Sequence, residues 1–186
     1  MKKIILWNHR TTHYSVLDSI DEVEKLIDSK PENERTYSEV ILGWRPQKLR
    51  FDIDDATVKD LEIILSEVKK AWKIATFLDV NRFKTKPRIL VFQTDEGITK
   101  NGYHLLINYF VKNAEISNKF NKLVITLLSE KGEKKVASTL DNIYGSNQNM
   151  RLMGCYKYGN GVLGKFKKRA LSRNVTMKDS LISMVI

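Results

Sequence analysis

With 186 residues, 21.6 kDa and 42% hydrophobic content, the chain is long enough to bury a core and too apolar to remain disordered. Its 32 Lys and Arg against 22 Asp and Glu give a net charge of +10, which favours an anionic partner, nucleic acid first and a membrane surface second. Cys155 is the single cysteine, which excludes an internal disulfide framework or Cys-rich zinc site. No apolar run approaches a membrane span and the N-terminal one is too short for a signal peptide, so a soluble, intracellular protein without membrane association is expected.

Residues 3–7 read as an opening strand and 8–14 as a polar turn carrying His9, Arg10 and His13. On a helix His9 and His13 could pair on zinc, but nothing nearby completes a ligand set. Ser19 and Glu22 form a capping-box pattern ahead of Val23, Leu26 and Ile27, predicting a helix over 19–29 that Pro31 limits. Residues 30–35 then read as a solvated loop.

A strand over 37–42 turns at 43–46 into a second strand. There Leu49, Phe51 and Ile53 alternate with Arg50, Asp52 and Asp54, the period of a half-buried strand. The apolar set faces a core, which leaves Asp52 and Asp54 adjacent on the opposite face. Two such charges repel unless compensated, and a divalent cation with oxygen ligands, Mg²⁺ or Mn²⁺, compensates them. Two acids at this spacing also fit a solvated strand face, so their meaning depends on what joins them.

Val58, Leu61, Ile64, Leu65, Val68, Ala71 and Trp72 recur at helical spacing and predict an amphipathic helix over 57–77, with Trp72 in the core and Asp55 helping to start it. A basic connection (79–86), a short strand (88–93), a loop (94–102) and a strand (103–111) with His104 near its start follow. Ile116, Phe120, Leu123, Val124, Leu127 and Leu128 predict a second helix over 114–131, ending in a charged turn at 131–135. Residues 159–164 read as a flexible link to KFKKRALSR at 165–173, a solvated helix or tail, or a phosphate-contacting segment through Lys165, Lys167, Lys168 and Arg169. The apolar end, 181–186, resembles the start of another element. The order predicts an α+β domain with helices on one face of a largely antiparallel sheet, and Asp52, Asp54 and His104 meeting on the free face or its rim.

Three segments, in order, resemble motifs of the archaeo-eukaryotic primase superfamily, nearest its primase-polymerase branch and the primase domains of large DNA virus primase-helicases. FDIDD at 51–55 resembles the first, an acidic pair among apolar residues. TKNGYHLLI at 99–107 resembles the second, in which a His opens a strand. LDNIYGSNQNMRLMGCYKYGN at 140–160 resembles the third, an Asp followed by an Asn-x-Arg-Leu segment and a Lys. Together they span roughly residues 37–159. Arg10 lies in an Arg-containing turn that also has counterparts in these proteins and is a candidate nucleic-acid contact.

The resemblance implies an archaeo-eukaryotic primase fold, with an RNA-recognition-like palm sheet and a small N-terminal α/β unit. Residues 1–186 would form one catalytic domain: an N-terminal unit over about 1–45, the motifs over about 46–160 and a basic extension over about 161–186. Asp52, Asp54 and Asp141 would hold Mg²⁺ or Mn²⁺. His104 would contact the phosphates of the incoming nucleotide, and Lys100, Gly102, Arg151 and Lys157 would complete its cradle. Gly102 stands where the family usually has Ser, so one hydroxyl donor is lost although close backbone approach is retained. The implied activity is that of a DNA primase or primase-polymerase, transferring nucleotides from nucleoside triphosphates onto a single-stranded DNA template. The expected neighbour is a helicase domain or subunit, if the chain is a piece of a longer primase-helicase, or else a small accessory domain that follows it. The competing expectations are a non-catalytic RNA-recognition-like module, for which no aromatic-rich strand stands out, and a metal-dependent nuclease.

Overall fold

The computed structural model describes residues 3–78, 87–96, 101–141 and 147–183. In chain order its elements are β1 (Ile4–Asn8), β2 (His13–Leu17), α1 (Ile20–Asp28), β3 (Tyr37–Ile41), β4 (Gln47–Ala56), α2 (Val58–Leu78), β5 (Ile89–Glu96) and β6 (Asn101–Val111). They continue with α3 (Ala114–Glu130), α4 (Lys134–Ala137), β7 (Gln148–Arg151), β8 (Tyr156–Gly159), β9 (Val162–Lys167), β10 (Arg169–Ala170) and α5 (Met177–Ser180). The class is α+β with antiparallel pairing, as expected. No helix among the described residues is long and apolar enough to cross a membrane.

A central sheet runs in the order β10-β5-β6-β4. Beyond β4 its edge continues through an antiparallel bridge from Ile53 to Leu140. The chain therefore traces β4-α2-β5-β6-α3-bridge, a β-α-β-β-α-β order in which the last segment returns beside the first strand. Alternation sends Leu49, Phe51, Ile53, Tyr103, Leu105 and Ile107 to one face, where α2 and α3 cover them through Ile64, Val68, Phe120 and Val124. Trp72 joins this core at 5% exposure, edge-on to Tyr109 and Phe120.

An N-terminal sheet runs in the order β2-β1-β3-β7. One face of it meets α1 and the C-terminal segment through Ile4, Leu6, Val23, Ile27, Met177 and Leu181. Farther along, Ile41 and Met150 pack on Leu90, Phe92 and Leu106 of the central sheet. The second face of the central sheet is thus not free, as the sequence suggested. A second sheet covers much of it, because Leu90, Phe92 and Leu106 give that face an apolar patch that has to be buried.

Several local expectations are corrected. Residues 8–14 contain only a four-residue turn before β2, with Thr12 in the left-handed region at φ 55°, and no helix pairs His9 with His13. Asp55 does not start α2. It sits at φ 54° beside a register shift between Ile53 and Ala56, and Thr57 supplies the cap: Asp60 N donates to Thr57 Oγ1 at 3.1 Å and Thr57 N to Asp60 Oδ2 at 2.9 Å. Thr57→Ala is expected to cost about 1 kcal/mol in urea unfolding, with an unchanged denaturant slope.

The expected turn at 131–135 runs into α4, and the expected link at 159–164 is the tight turn of the β8–β9 hairpin. Asn160 and Gly161 both have positive φ, 51° and 77°, the demand of a two-residue hairpin loop. Residues 165–173 are neither helix nor tail; β9 completes the hairpin and β10 pairs with β5. Of the apolar end, 184–186 lie outside the described residues, and Leu181 and Ile182 pack inside. They are buried at 2% and 0%, and Ser183 bridges Gln47.

Candidate active site

In the register of β4 against β6, Asp52 lies directly opposite His104. Directly opposed side chains touch, and His104 Nε2 is 3.4 Å from Asp52 Oδ1. Asp54 follows on the same face of β4 and is exposed. Asp141 arrives from far along the chain through the backbone. After α4, Asp54 N donates to Thr139 O and Asp141 N donates to Asp52 O, each at 2.9 Å. Asn121 on α3 steadies the segment, its Nδ2 donating to Asp141 O at 3.1 Å.

These carboxylates act on one another. Burial first, then the negative charges of Asp54 and Asp141, push Asp52 up to about 6. Asp54 lines a cleft of ≈ 260 Å³ and Asp141 lines a neighbouring hollow of ≈ 180 Å³, while Asp52 lines both. Among the described residues, no three His, Cys, Asp or Glu side chains are gathered as a metal-holding group. The donor chemistry, hard carboxylate oxygens, is nonetheless the kind that suits Mg²⁺ or Mn²⁺.

Cationic groups occupy the other side of the cleft. Arg151 on β7 is half-buried, and its Nη1 donates to Thr94 O at 2.7 Å, which ties the N-terminal sheet to β5. Lys157 on β8 is exposed at the same cleft. Gly102 is buried on β6 two residues before His104, hence on the same face. Lys100 lies outside the described residues.

The basic segment divides. Lys165, Lys167 and Arg169 are exposed, with Lys167 paired to Glu32 and Arg169 donating to Gln93 Oε1 at 2.7 Å. Lys168 is 1% exposed, so it is an internal strut and not the surface contact expected of it. Its Nζ donates to Arg151 O at 2.7 Å and sits 4.7 Å over the Phe92 ring. Burial, then the Arg151 charge, lowers it to about 7. Arg10 is exposed in a separate hollow with His13 and Lys30, away from the carboxylates.

His104 is buried, and burial followed by the Lys168, Arg151 and Arg50 charges holds it well below the usual imidazole range. At neutral pH it is therefore uncharged, with Nε2 beside Asp52 Oδ1 and its Nδ1 without a partner among the described residues. His9, which lies outside the three motifs, lines the cleft with its Nε2 2.8 Å from Ser38 Oγ. Arg50 has no local sequence signal. It is 1% exposed, bonded to the side-chain oxygens of Gln47 and Gln148, and lines the second hollow beside Asp52.

No protein-family model matches the chain, and no curated protein matches it by sequence.

The raised Asp52 has a readable pH signature. Its folded value, about 6, lies above the ordinary 3.8, so between these the folded protein holds a proton that the unfolded chain has released. Stability from this group is complete below about 4 and is lost as pH rises through 6. The melting-temperature difference, Asp52→Asn minus wild type, is accordingly expected to grow as pH rises from 5 to 7. A difference that stays flat across that range contradicts the charge crowding.

Proposed function

We propose that the chain is a catalytic domain of the archaeo-eukaryotic primase type, which joins nucleotides on a single-stranded DNA template in a reaction that depends on Mg²⁺ or Mn²⁺. The observation that carries this reading is the polarity of one cleft at the seam of two sheets: Asp52, Asp54 and His104 on the central sheet face Arg151 and Lys157 on segments beyond it. Asp141 is bonded through its backbone to Asp52. The β-α-β-β-α-β order of the central sheet also supports it, since an RNA-recognition-like palm requires that order.

Each group has a task that suits it. Asp52, Asp54 and Asp141 would hold the cation. A divalent cation held there would supply Lewis-acid activation of the attacking hydroxyl and would offset charge on the leaving pyrophosphate. Arg151 and Lys157 neutralise the triphosphate, an electrostatic role that involves no proton transfer. Arg151 is held for this by Thr94 O from one side and by Lys168 on its own carbonyl. Neutral His104 orients Asp52 and offers an uncharged hydrogen bond. As a group held well below the usual imidazole range it is a poor reservoir of acid.

The test is incorporation of labelled nucleotides on single-stranded DNA, with and without a primer, using ribo- and deoxynucleotides in Mg²⁺ and in Mn²⁺. Product complementary to the template, and absent when chelator is added, is expected. No product in any combination, or shortening of the DNA without nucleotides, overturns the reading.

A further inference from the structure

The N-terminal sheet has one face still to be accounted for. Its register places Tyr14 opposite Trp7, Trp7 opposite Ser38, and Ser38 opposite Arg151. Directly opposed residues share a face, so Tyr14, Trp7, Ser38 and Arg151 form one row straight across four strands. At about 4.8 Å per strand the row runs about 14 Å, from the β2 edge to the cleft. Val16, opposite Ile5, lies on the same face.

The row begins aromatic and ends cationic. Trp7 and Tyr14 have ring centroids 4.5 Å apart, and His9 lies edge-on to Trp7 at 6.4 Å. His9 and Arg151 line the cleft that holds Asp52. Tyr14 is 64% exposed and Val16 58%, although an apolar sheet face is ordinarily covered. The occupant that fits both ends carries flat apolar faces on a polyanionic backbone, and the chain's net charge of +10 complements it.

We propose that the Trp7–Tyr14 face of the N-terminal sheet is a stacking platform for unpaired bases of single-stranded DNA, which it leads along this row to Arg151. The proposal deepens the primase reading, on which it rests for the identity of the strand. An exposed tyrosine and a half-buried tryptophan stack on any base, so the platform grips without selecting sequence. The strand so led arrives at the cleft where Arg151 and Lys157 hold the nucleotide it pairs with, and the chain's net charge of +10 attracts its phosphates.

The experiment measures binding of a fluorescein-labelled oligothymidylate of about 16 nucleotides, without nucleotide or divalent metal, by anisotropy and by quenching of tryptophan emission. Tyr14→Ala is expected to weaken binding by about 5- to 150-fold, the loss of one stacked base, with the salt slope unchanged. Tyr14→Phe, which keeps the ring, should bind within about twofold of wild type. Because Tyr14 is so exposed, its circular dichroism and melting temperature should stay at wild-type values. Wild-type affinity in Tyr14→Ala, equal losses in Tyr14→Ala and Tyr14→Phe, or the same loss on double-stranded DNA would each overturn the platform. The assay involves no synthesis, so it separates the two readings. Stacking loss in a protein that makes no product overturns the primase reading alone, and synthesis with an inert Tyr14 overturns the platform alone.

Discussion

Asp52→Asn is expected to lower template-directed synthesis by at least about 10²–10³-fold, the usual cost of removing one preorganised group from a charged transition state. Asp52 is the hinge of the acidic group. It lines both hollows, its carbonyl receives the Asp141 N–H at 2.9 Å, and its carboxylate meets His104 at 3.4 Å. The amide keeps the shape and removes the charge, so folding should survive. Ending the burial of a charge, and then its repulsion by Asp54 and Asp141, should make this variant more stable at pH 7 than wild type. A gain in stability together with a loss of activity separates a functional carboxylate from a solvated one. Asp141→Asn should show a comparable loss of activity. Full synthesis in either variant, measured in both Mg²⁺ and Mn²⁺, removes the site.

Glu39→Ala is expected to have the largest effect on stability, about 3–5 kcal/mol, read as a lower urea midpoint at constant slope. Glu39 is 1% exposed on β3 between the two sheets. Its two carboxylate oxygens accept the N–H groups of Ile182 and Ser183, each at 2.7 Å, which pins the C-terminal segment into the interior. It is also one of the negative charges felt by buried Arg50, Lys48 and Lys168, beside Asp52 for Arg50 and Lys168 and Asp179 for Lys48. Removing it leaves a buried N–H unpaired and strips a counter-charge from cations that cannot reach water. Glu39→Gln keeps one accepting oxygen and should fall between the two. If Glu39→Ala unfolds with the wild-type midpoint, the C-terminal segment does not depend on this anchor.

The local parts of this fold were legible in the chain because they depend on near neighbours. The alternation of Leu49 to Asp54 identified β4 and both of its faces, and the apolar spacing from Val58 to Trp72 identified α2. Ser19 caps α1 as expected, its side chain accepting from Glu22 N, although Glu22 returns the bond to Asp18 N instead of closing the box on Ser19. Other signals were misread for local reasons. Residues 165–173 look like a solvated tail by charge, yet Lys168 is carried inward, where its Nζ meets Arg151 O of the N-terminal sheet and the Phe92 ring of the central sheet.

The sequence by itself determined the α+β class, the two long helices and the placing of two carboxylates side by side on one strand face. Only the tertiary structure decided that Asp141 joins the β4 edge, that Arg151 belongs to a strand of the N-terminal sheet, and that Trp7 and Tyr14 stand in the same row as Arg151. The physical reason is range. Periodicity is set by backbone geometry within a few residues, whereas edge pairing and the packing of sheet on sheet are set by apolar surfaces and hydrogen bonds between segments far apart in the chain.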